Sequence, residues 1–281
     1  MSSGVTRVSV LYENRARGAH LKAGHGFAAL VENGEARVLF DTGADGTVVK
    51  NAAAMGVVLD GLSAVVISHG HYDHIGGLDS VLAACGPVRV LAHPQVFRPK
   101  YALDAEGSRR FIGPPVSREG LESLGAQFVL GVERVSLGEG VWTTGEIAQV
   151  TPPVVGGGPL YADAGGGIVE DKFEEEIGLV AGPVLVVGCS HMGLENLVAA
   201  GQGLSGGRVR VVIGGTHLQG LPDEVVAELA GRVWDSGIKV LGACHCTGER
   251  AQGVLRAAFP GRFVEAKAGD RFEFGEAGAP R

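Results

Sequence analysis

The 281-residue sequence predicts an α/β fold in which two mixed sheets pack face to face between outer helices, as a four-layer αββα sandwich. Two observations predict this fold. Strand-like runs occur in both halves of the chain, and three successive strands of the C-terminal half each end in a turn that carries histidine and precedes a helix. Because 45% of the residues are hydrophobic, one domain over residues 1–281 can bury a substantial core.

The N-terminal half begins with an alternating strand over residues 6–12. A hairpin follows, because apolar runs at 26–30 and 36–40 flank Asn33-Gly34, the strongest short hairpin signal. The other elements predicted for this half are, in chain order, helix 44–55, strand 62–67, helix 76–84, strand 88–92, strand 126–130 and short edge strands at 135–137 and 141–144.

Two segments interrupt the regular pattern. Residues 94–125 are predicted to form a peripheral insertion that covers a site. Residues 152–168 are rich in glycine and proline and could be a linker between domains. We favour a mobile loop within one domain, because strand–helix units of the same kind resume after it.

The C-terminal half alternates strands and helices. The predicted strands are 184–187, 209–213, 239–241 and about 262–266, and the predicted helices are 194–200, 222–234 and 249–259. His191, His217 and His245 follow the first three of these strands. Because an α/β sheet gathers side chains at the carboxyl ends of its strands, we expect these histidines to lie at one edge.

Composition excludes several classes of protein. A formal net charge of −7 gives no electrostatic footprint for nucleic acid or an anionic membrane. Residues 1–10 lack the pattern of a secretory signal, no apolar run reaches the roughly 18 residues of a membrane span, and four cysteines do not form a disulfide framework. We expect a cytoplasmic protein that acts on a small molecule; its oligomeric state is open.

The most informative stretch is Ser68-His69-Gly70-His71-Tyr72-Asp73-His74, which places three imidazoles and a carboxylate directly after a strand. Imidazole and carboxylate are ligands that Zn²⁺, Mn²⁺ and Fe²⁺ accept. His69 and His71 can point to one position, and Asp73 and His74 to a neighbouring one. The loop therefore predicts a site for two metal ions.

This loop, together with Phe40-Asp41-Thr42-Gly43 upstream, resembles the metallo-β-lactamase superfamily. The resemblance extends from about residue 8 to about residue 274 and implies the same αββα fold. It implies one divalent ion held by His69, His71 and His191, and a second held by Asp73, His74 and His245. It also implies that Asp41 hydrogen-bonds the metal-binding loop, whereas position alone equally favours a helix N-cap.

The sequence departs from the superfamily pattern at the strand that there ends in Gly-Asp. Here Gly188 is followed by Cys189, which is either a metal ligand or a buried structural thiol. Glu175 and Glu176 could replace the aspartate that is absent at Cys189, or they could support the site. The alternative is that they belong to a solvated run of acidic residues. His217 is expected to face the substrate or to support a ligand, so Asp73 and His217 are the candidate catalytic groups.

Three turns indicate one subfamily within the superfamily. They are residues 188–193 with Asn196, residues 214–218, and residues 245–248. They are similar to the 7,8-dihydropterin-6-methyl-4-(β-D-ribofuranosyl)-aminobenzene-5′-phosphate synthase subfamily.

We therefore hold two main hypotheses. In the first, one or two divalent ions, most simply Zn²⁺ with Mn²⁺, Fe²⁺ or Mg²⁺ as alternatives, activate water against an ester, lactone or phosphoester. In the alternative, a dihydropterin pyrophosphate condenses with an aminobenzene ribofuranosyl phosphate and pyrophosphate leaves. A third hypothesis is a metal or redox sensor built around Cys244 and Cys246. Residue types alone do not identify the substrate-binding residues.

Overall fold

The computed structural model describes residues 4–104 and 106–279. Its strands are, in chain order, β1 (Val5–Tyr12), β2 (Ala28–Asn33), β3 (Ala36–Phe40), β4 (Ala64–Val66), β5 (Val88–Ala92), β6 (Lys100–Leu103), β7 (Arg109–Phe111), β8 (Ala126–Leu130), β9 (Ser136–Gly138), β10 (Val141–Thr143), β11 (Leu160–Asp163), β12 (Ile168–Glu170), β13 (Leu179–Ala181), β14 (Val184–Val187), β15 (Val211–Gly215), β16 (Val240–Cys244) and β17 (Arg271–Gly275). Its helices are α1 (Thr47–Ala54), α2 (Tyr72–Ile75), α3 (Leu78–Cys85), α4 (Arg118–Ser123), α5 (Leu194–Ser205), α6 (Asp223–Asp235) and α7 (Glu249–Ala258).

Sheet 1 has seven strands in the order β17-β1-β2-β3-β4-β5-β8. β1 pairs antiparallel with β17 and β2, and β2 pairs antiparallel with β3, in the predicted hairpin. From β3 to β8 the neighbouring strands run parallel, with Phe40 opposite Val66. The carboxyl ends of β3 and β4 therefore lie side by side.

Sheet 2 has six strands in the order β16-β15-β14-β13-β10-β9. Its strands β14, β15 and β16 run parallel, with Val187 opposite Gly214 and Gly215 opposite Cys244. This register brings the three histidine-bearing turns of the C-terminal half to one edge of the sheet.

Alternate side chains of the buried strands pack on opposite faces, which produces the four layers. Phe40 and Val186 belong to the core between the two sheets. Leu39 packs on the other face of sheet 1 in a core with residues of α1, α3 and α4, and Leu185 packs on the other face of sheet 2 with residues of α5, α6 and α7. The predicted αββα sandwich is confirmed.

A third sheet was not predicted. Its four strands stand in the order β12-β11-β6-β7; β6, β7 and β11 come from the two segments that interrupt the regular sequence pattern, and β12 begins at the last residue of the second segment. These strands have three or four residues, and β7 is exposed along its whole length. Short strands without a buried apolar face give no periodic signal, which is why the sequence did not reveal them.

The last predicted strand is wrong. Residues 262–266 form only a single bridge, between Leu241 and Phe263. The final strand is β17, which pairs antiparallel with β1 at the edge of sheet 1. Arg271 and Glu273 alternate with Phe272 and Phe274 along this strand, so the period-2 signal of a strand is present in the sequence there and not at 262–266. Within the described ranges, no helix combines the length and the apolar character needed to cross a membrane.

Candidate metal centre

The six predicted metal ligands converge where strands of both sheets end. Sheet 1 supplies four of them from the loop after β4 and from α2, and sheet 2 supplies His191 after β14 and His245 after β16. The ring centroids of His69 and His191 are 4.9 Å apart, and those of His74 and His245 are 5.1 Å apart. All six side chains are buried.

The first group of potential ligands is His69, Cys189 and His191, whose ligand atoms all lie within 4.8 Å of one another. His71 adjoins it, with Nδ1 3.1 Å from Nε2 of His69. The buried Nε2 atoms of His71 and His191 have no hydrogen-bond partner among the described residues. Burying a polar atom without a partner is costly, and a bound cation would give each nitrogen one. These residues therefore fit a divalent metal.

The second group is His74, Cys189 and His245, also within 4.8 Å of one another. Nε2 of His74 lies 3.2 Å from Sγ of Cys189 and 3.3 Å from Nε2 of His245. Asp73 adds an Oδ2 atom 3.3 Å from Nε2 of His245. Cys189 belongs to both groups, and it stands where the superfamily pattern has the aspartate of Gly-Asp.

The environment keeps the first group neutral. Burial, reinforced by the neighbouring imidazoles, holds the pKa of His69 and that of His191 well below the usual value. Burial likewise lowers the pKa of His71 to about 3. A histidine must be unprotonated to bind a metal ion, so these three rings are in the ligating form at neutral pH.

The environment of His74 favours a positive charge. Burial lowers its pKa, but Asp41 and Asp73 raise it more, to about 9. The pKa of Asp73 is held well below its usual value despite burial, by His74 and by hydrogen bonds from His245 and His25. The two carboxylates would stabilise a metal cation at His74 as they stabilise a proton.

Asp41 orients two of the imidazoles. Its Oδ1 accepts the backbone N–H of Ser68 at 2.7 Å, and its Oδ2 accepts the Ser68 hydroxyl at 2.8 Å and Nδ1–H of His74 at 2.7 Å. Because the hydroxyl is thus used, His69 donates Nδ1–H to Ser68 Oγ at 2.9 Å. Both rings therefore direct Nε2 into the site. The N-cap interpretation of Asp41 is wrong, since Gly46 precedes α1.

Glu175 and Glu176 hold the backbone of the ligand loops. Oε1 of Glu175 accepts the N–H of Gly70 at 2.6 Å, between His69 and His71. Glu176 accepts the N–H of His191 at 3.0 Å and that of the next residue at 2.7 Å. Burial raises the pKa of Glu176 to about 7 although these two bonds oppose the shift. Neither carboxylate belongs to a group of potential ligands among the described residues.

Lys100 is a supporting residue that the sequence did not reveal. It is buried with only 1% of its surface exposed, and its Nζ lies 2.8 Å from Asp171 Oδ2 and 2.9 Å from Glu175 Oε2. The chain of contacts from Lys100 through Glu175 reaches the N–H of Gly70. Lysine in an irregular segment gives no pattern that would have predicted this role.

His245 is oriented by another pair of residues that the sequence did not reveal. Glu13 Oε1 accepts its backbone N–H at 2.7 Å, and Asn14 Oδ1 accepts its Nδ1–H at 2.9 Å. His25, which is mostly exposed, lies beside this ring, with Nε2 3.2 Å from Asp73 Oδ2. The three residues follow or precede β1 and β2, far from any histidine motif.

His217 lies beside the ligands. Its ring centroid is 4.3 Å from that of His191, and its backbone N–H donates to Cys246 Sγ at 3.2 Å. With Cys189 and Cys246 it forms a further group of potential ligands. The buried Nδ1 of His217 has no hydrogen-bond partner in the described part of the chain.

Strained backbone is concentrated here. The residues other than glycine with positive φ in the described ranges are Asp41, Phe173, Ser190, His217 and His245, at 49–61°. Each belongs to the site, follows a ligand strand or packs on a ligand: the Phe173 ring stacks on His191 at 3.8 Å and an interplanar angle of 7°. A positive φ in residues other than glycine persists only where the surrounding structure enforces it, and residues with such backbone strain cluster at functional sites.

Close packing explains two glycines of the site. A Cβ at Gly70 would lie 1.9 Å from the Val96 carbonyl oxygen, and one at Gly188 would lie 2.2 Å from Ser68 Oγ. Ser68 follows β4 and Gly188 follows β14, so the second contact shows that the two sheets approach closely at the ends of these strands. This approach brings Cys189 to the histidine loop.

A cavity of about 600 Å³ gives access to the centre. Its lining includes His71, Asp73, Cys189, His191, His217 and His245. The third sheet supplies another part of the lining, together with Gly156 and Gly157 from the Gly/Pro-rich segment. The interrupted segments of the sequence thus contribute to the surface that a ligand would meet.

Known proteins share this architecture. The family model described as Metallo-beta-lactamase superfamily matches residues 21–221. The chain is 30% identical over 267 residues to the 7,8-dihydropterin-6-methyl-4-(β-D-ribofuranosyl)-aminobenzene-5′-phosphate synthase of Methanocaldococcus jannaschii, covering 89% of this chain and 90% of the synthase.

Solved structures agree with this relationship. A metal-dependent hydrolase of the β-lactamase superfamily superposes with a TM-score of 0.81 at 28% identity, covering 96% of this chain and 99% of the other. A diphosphatase from the PhnP family, at 15% identity and a TM-score of 0.56, shares the fold over 96% of this chain and 97% of its own. The chain therefore belongs to the metallo-β-lactamase superfamily.

Proposed function

We propose that the protein is a metal-dependent hydrolase that cleaves an ester, lactone or phosphoester bond of a small molecule. One observation carries the proposal: two groups of potential ligands share Cys189 beside the cavity, and the buried Nε2 atoms of His71 and His191 in its lining lack partners among the described residues. The superfamily consists mostly of metal-dependent hydrolases, which supports the same conclusion.

The residues divide into two proposed sets of ligands. His69, His71 and His191 would hold one ion, and Asp73, His74 and His245 a second, with Cys189 shared. Bound divalent ions would supply an activated water near neutral pH and stabilise negative charge that develops on the substrate. His217 lines the cavity outside both sets and would exchange a proton with the substrate.

Zinc is the metal that we propose. Buried imidazoles combined with a cysteine thiol suit Zn²⁺, whereas Mg²⁺ prefers oxygen ligands. Iron and manganese accept imidazole and carboxylate as well, so elemental analysis of the purified protein decides the identity.

The direct test combines metal analysis with hydrolysis of three probes: p-nitrophenyl acetate, γ-butyrolactone and bis(p-nitrophenyl) phosphate. We expect transition metal in the purified protein, hydrolysis of at least one probe, and loss of that activity with chelator. His69→Ala and His245→Ala should each lose metal and activity, while His20→Ala, at an exposed position, should lose neither. A parent protein without bound metal or metal-stimulated hydrolysis would overturn the proposal.

The second candidate is a transferase, favoured by the 30% identity to a named synthase over nearly the whole of both chains. In this reaction the amine nitrogen of the acceptor would bond to the dihydropterin methylene carbon as the bond to the pyrophosphate oxygen breaks. The pyrophosphate would leave with the electron pair, and the nitrogen would lose a proton. The test is incubation with a dihydropterin pyrophosphate and 4-(β-D-ribofuranosyl)aminobenzene 5′-phosphate. Release of pyrophosphate with a condensed product supports the transferase, and release without condensation supports the hydrolase.

A further inference from the structure

The third sheet turns one row of side chains toward the cavity. Leu160 of β11 is opposite Ala102 of β6, and Ala102 is opposite Arg110 of β7. All three residues line the cavity, as does Ile112 two positions after Arg110. Successive side chains of a strand point to opposite faces, so these residues share one face of the sheet.

The neighbouring row faces away from the cavity. Tyr101 of β6 is opposite Phe111 of β7, and the two rings pack with centroids 5.8 Å apart. Neither residue lines the cavity, and neither does Arg109. The two adjacent arginines of β7 are therefore separated by the strand alternation, with only Arg110 on the cavity side.

Arg110 is the one lysine or arginine among the described residues that line this cavity. In the described ranges its guanidinium has no ion-pair or hydrogen-bond partner within the protein. The acidic residue of the lining, Asp73, is already held by His25 and His245. Arg110 is thus a cation in the lining of the cavity that forms no ion pair with the one carboxylate described there.

The side chains around Arg110 leave room for a ligand. Ala102, next to it in the row, is small, and Leu160 and Ile112 are apolar. The planar guanidinium donates parallel hydrogen bonds to phosphate or carboxylate oxygens, which gives both affinity and orientation.

We propose that this row, Arg110, Ala102 and Leu160, binds the substrate, and that Arg110 pairs with an anionic group of the substrate, a phosphate or a carboxylate. The apolar residues of the row would contact the carbon skeleton while the scissile bond lies at the metal centre. The proposal rests on the proposed function for the position of the scissile bond, but the anion site itself can be tested without turnover.

The test is calorimetric binding of phenyl phosphate and benzoate, with benzyl alcohol as the neutral analogue. The protein is used as purified and again after metal removal with chelator. Arg110→Met removes the cation, Arg110→Lys keeps the charge without the planar fork, and Arg109→Met removes the same charge from the other face of β7. Metal content and thermal unfolding are measured on each variant.

We expect Arg110→Met to weaken binding of an anionic probe by about tenfold or more, since hydrogen bonds between ionised groups are roughly twice as strong as those between neutral groups. Arg110→Lys should lie between parent and Arg110→Met, and Arg109→Met should bind within about twofold of the parent. A loss confined to phenyl phosphate identifies a phosphate site, and a loss confined to benzoate or equal for both probes identifies a site that accepts carboxylate.

Two results would overturn the anion site: parent-like binding by Arg110→Met, or an equal loss in Arg109→Met. These two results can be distinguished from failure of the proposed function. All three variants should retain the parental metal content, and the difference in anion binding between the variants should persist after metal removal. If the parent proves to lack metal but Arg110→Met still loses anion binding, the anion site stands and the hydrolase proposal falls.

Discussion

Sγ of Cys189 lies 3.2 Å from Nε2 of His74, although Cys189 follows β14 of sheet 2 and His74 lies in α2, which follows β4 of sheet 1. The same thiol belongs to the group that contains His69 and His191. A single sulfur atom therefore connects the two proposed metal positions.

Replacing Cys189 tests this connection. Cys189→Ala should reduce bound metal, because each group loses a shared donor, and Cys189→Asp should restore it, since a carboxylate occupies this place in the superfamily pattern. Metal per protein chain after dialysis is the measurement. Cys85→Ala, in a half-buried thiol at the end of α3, is the matched control and should keep the parental content. Parental metal content in Cys189→Ala would show that the thiol is structural.

Asp41 should be critical for folding as well as for the site. Asp41→Ala leaves Ser68 and His74 without their buried acceptor, and breaking a buried charged pair costs about 3–5 kcal/mol. We expect urea denaturation to show this loss in the free energy of unfolding. The control Asp60→Ala, at an exposed position, should change the free energy of unfolding by no more than about 0.5 kcal/mol. Similar losses in the two variants would contradict the role assigned to Asp41.

The contact between Lys100 and Glu175 supports metal affinity from a distance. Lys100→Met removes the ammonium group that contacts Asp171 and Glu175, and weaker support of the Gly70 N–H by Glu175 should lower metal affinity by about 10–100-fold. Exposed Lys172→Met is the control, since its ion pair with Glu170 is solvated.

A double-mutant cycle separates positioning from general destabilisation. If Lys100 acts through Glu175, the double variant Lys100→Met/Glu175→Gln should lose less metal-binding free energy than the two single variants lose in sum. Additive losses, or unchanged affinity in folded single variants, would contradict the positioning role.

Metal removal should destabilise the parent protein. Binding to the folded state alone adds about 4 kcal/mol at a free metal concentration a thousandfold above Kd. After the metal has been removed with chelator, added Zn²⁺ should therefore raise the unfolding temperature measured by calorimetry. The increase should be much smaller in His69→Ala and His245→Ala. An equal shift in all three proteins would show that the metal acts elsewhere.

Local patterns predicted the sandwich and the residues that gather at its strand ends. The loop from His69 to His74 and the turns at His191 and His245 are continuous segments, so their chemistry is visible in sequence. The residues that hold the ligand loops lie far from those loops in the sequence. Glu175 contacts Gly70 across 105 positions, and Glu13 contacts His245 across 232. No local pattern encodes such pairs, because only packing of the two sheets creates them.

The same limit applies to the third sheet. Arg110 lies in a three-residue exposed strand, and its direction toward the cavity follows from the register with Ala102. Sequence placed this residue in an irregular insertion, since a strand so short has no period to detect. The structure was needed to distinguish it from Arg109.

The distance in sequence between His74 and His245, 171 positions, also determines when the centre can exist during folding. Closing so long a loop costs entropy that only packing of both sheets can offset. The two histidines therefore cannot meet in an early intermediate made of one half of the chain. Metal capture by His74 together with His245 therefore follows the packing of the two sheets.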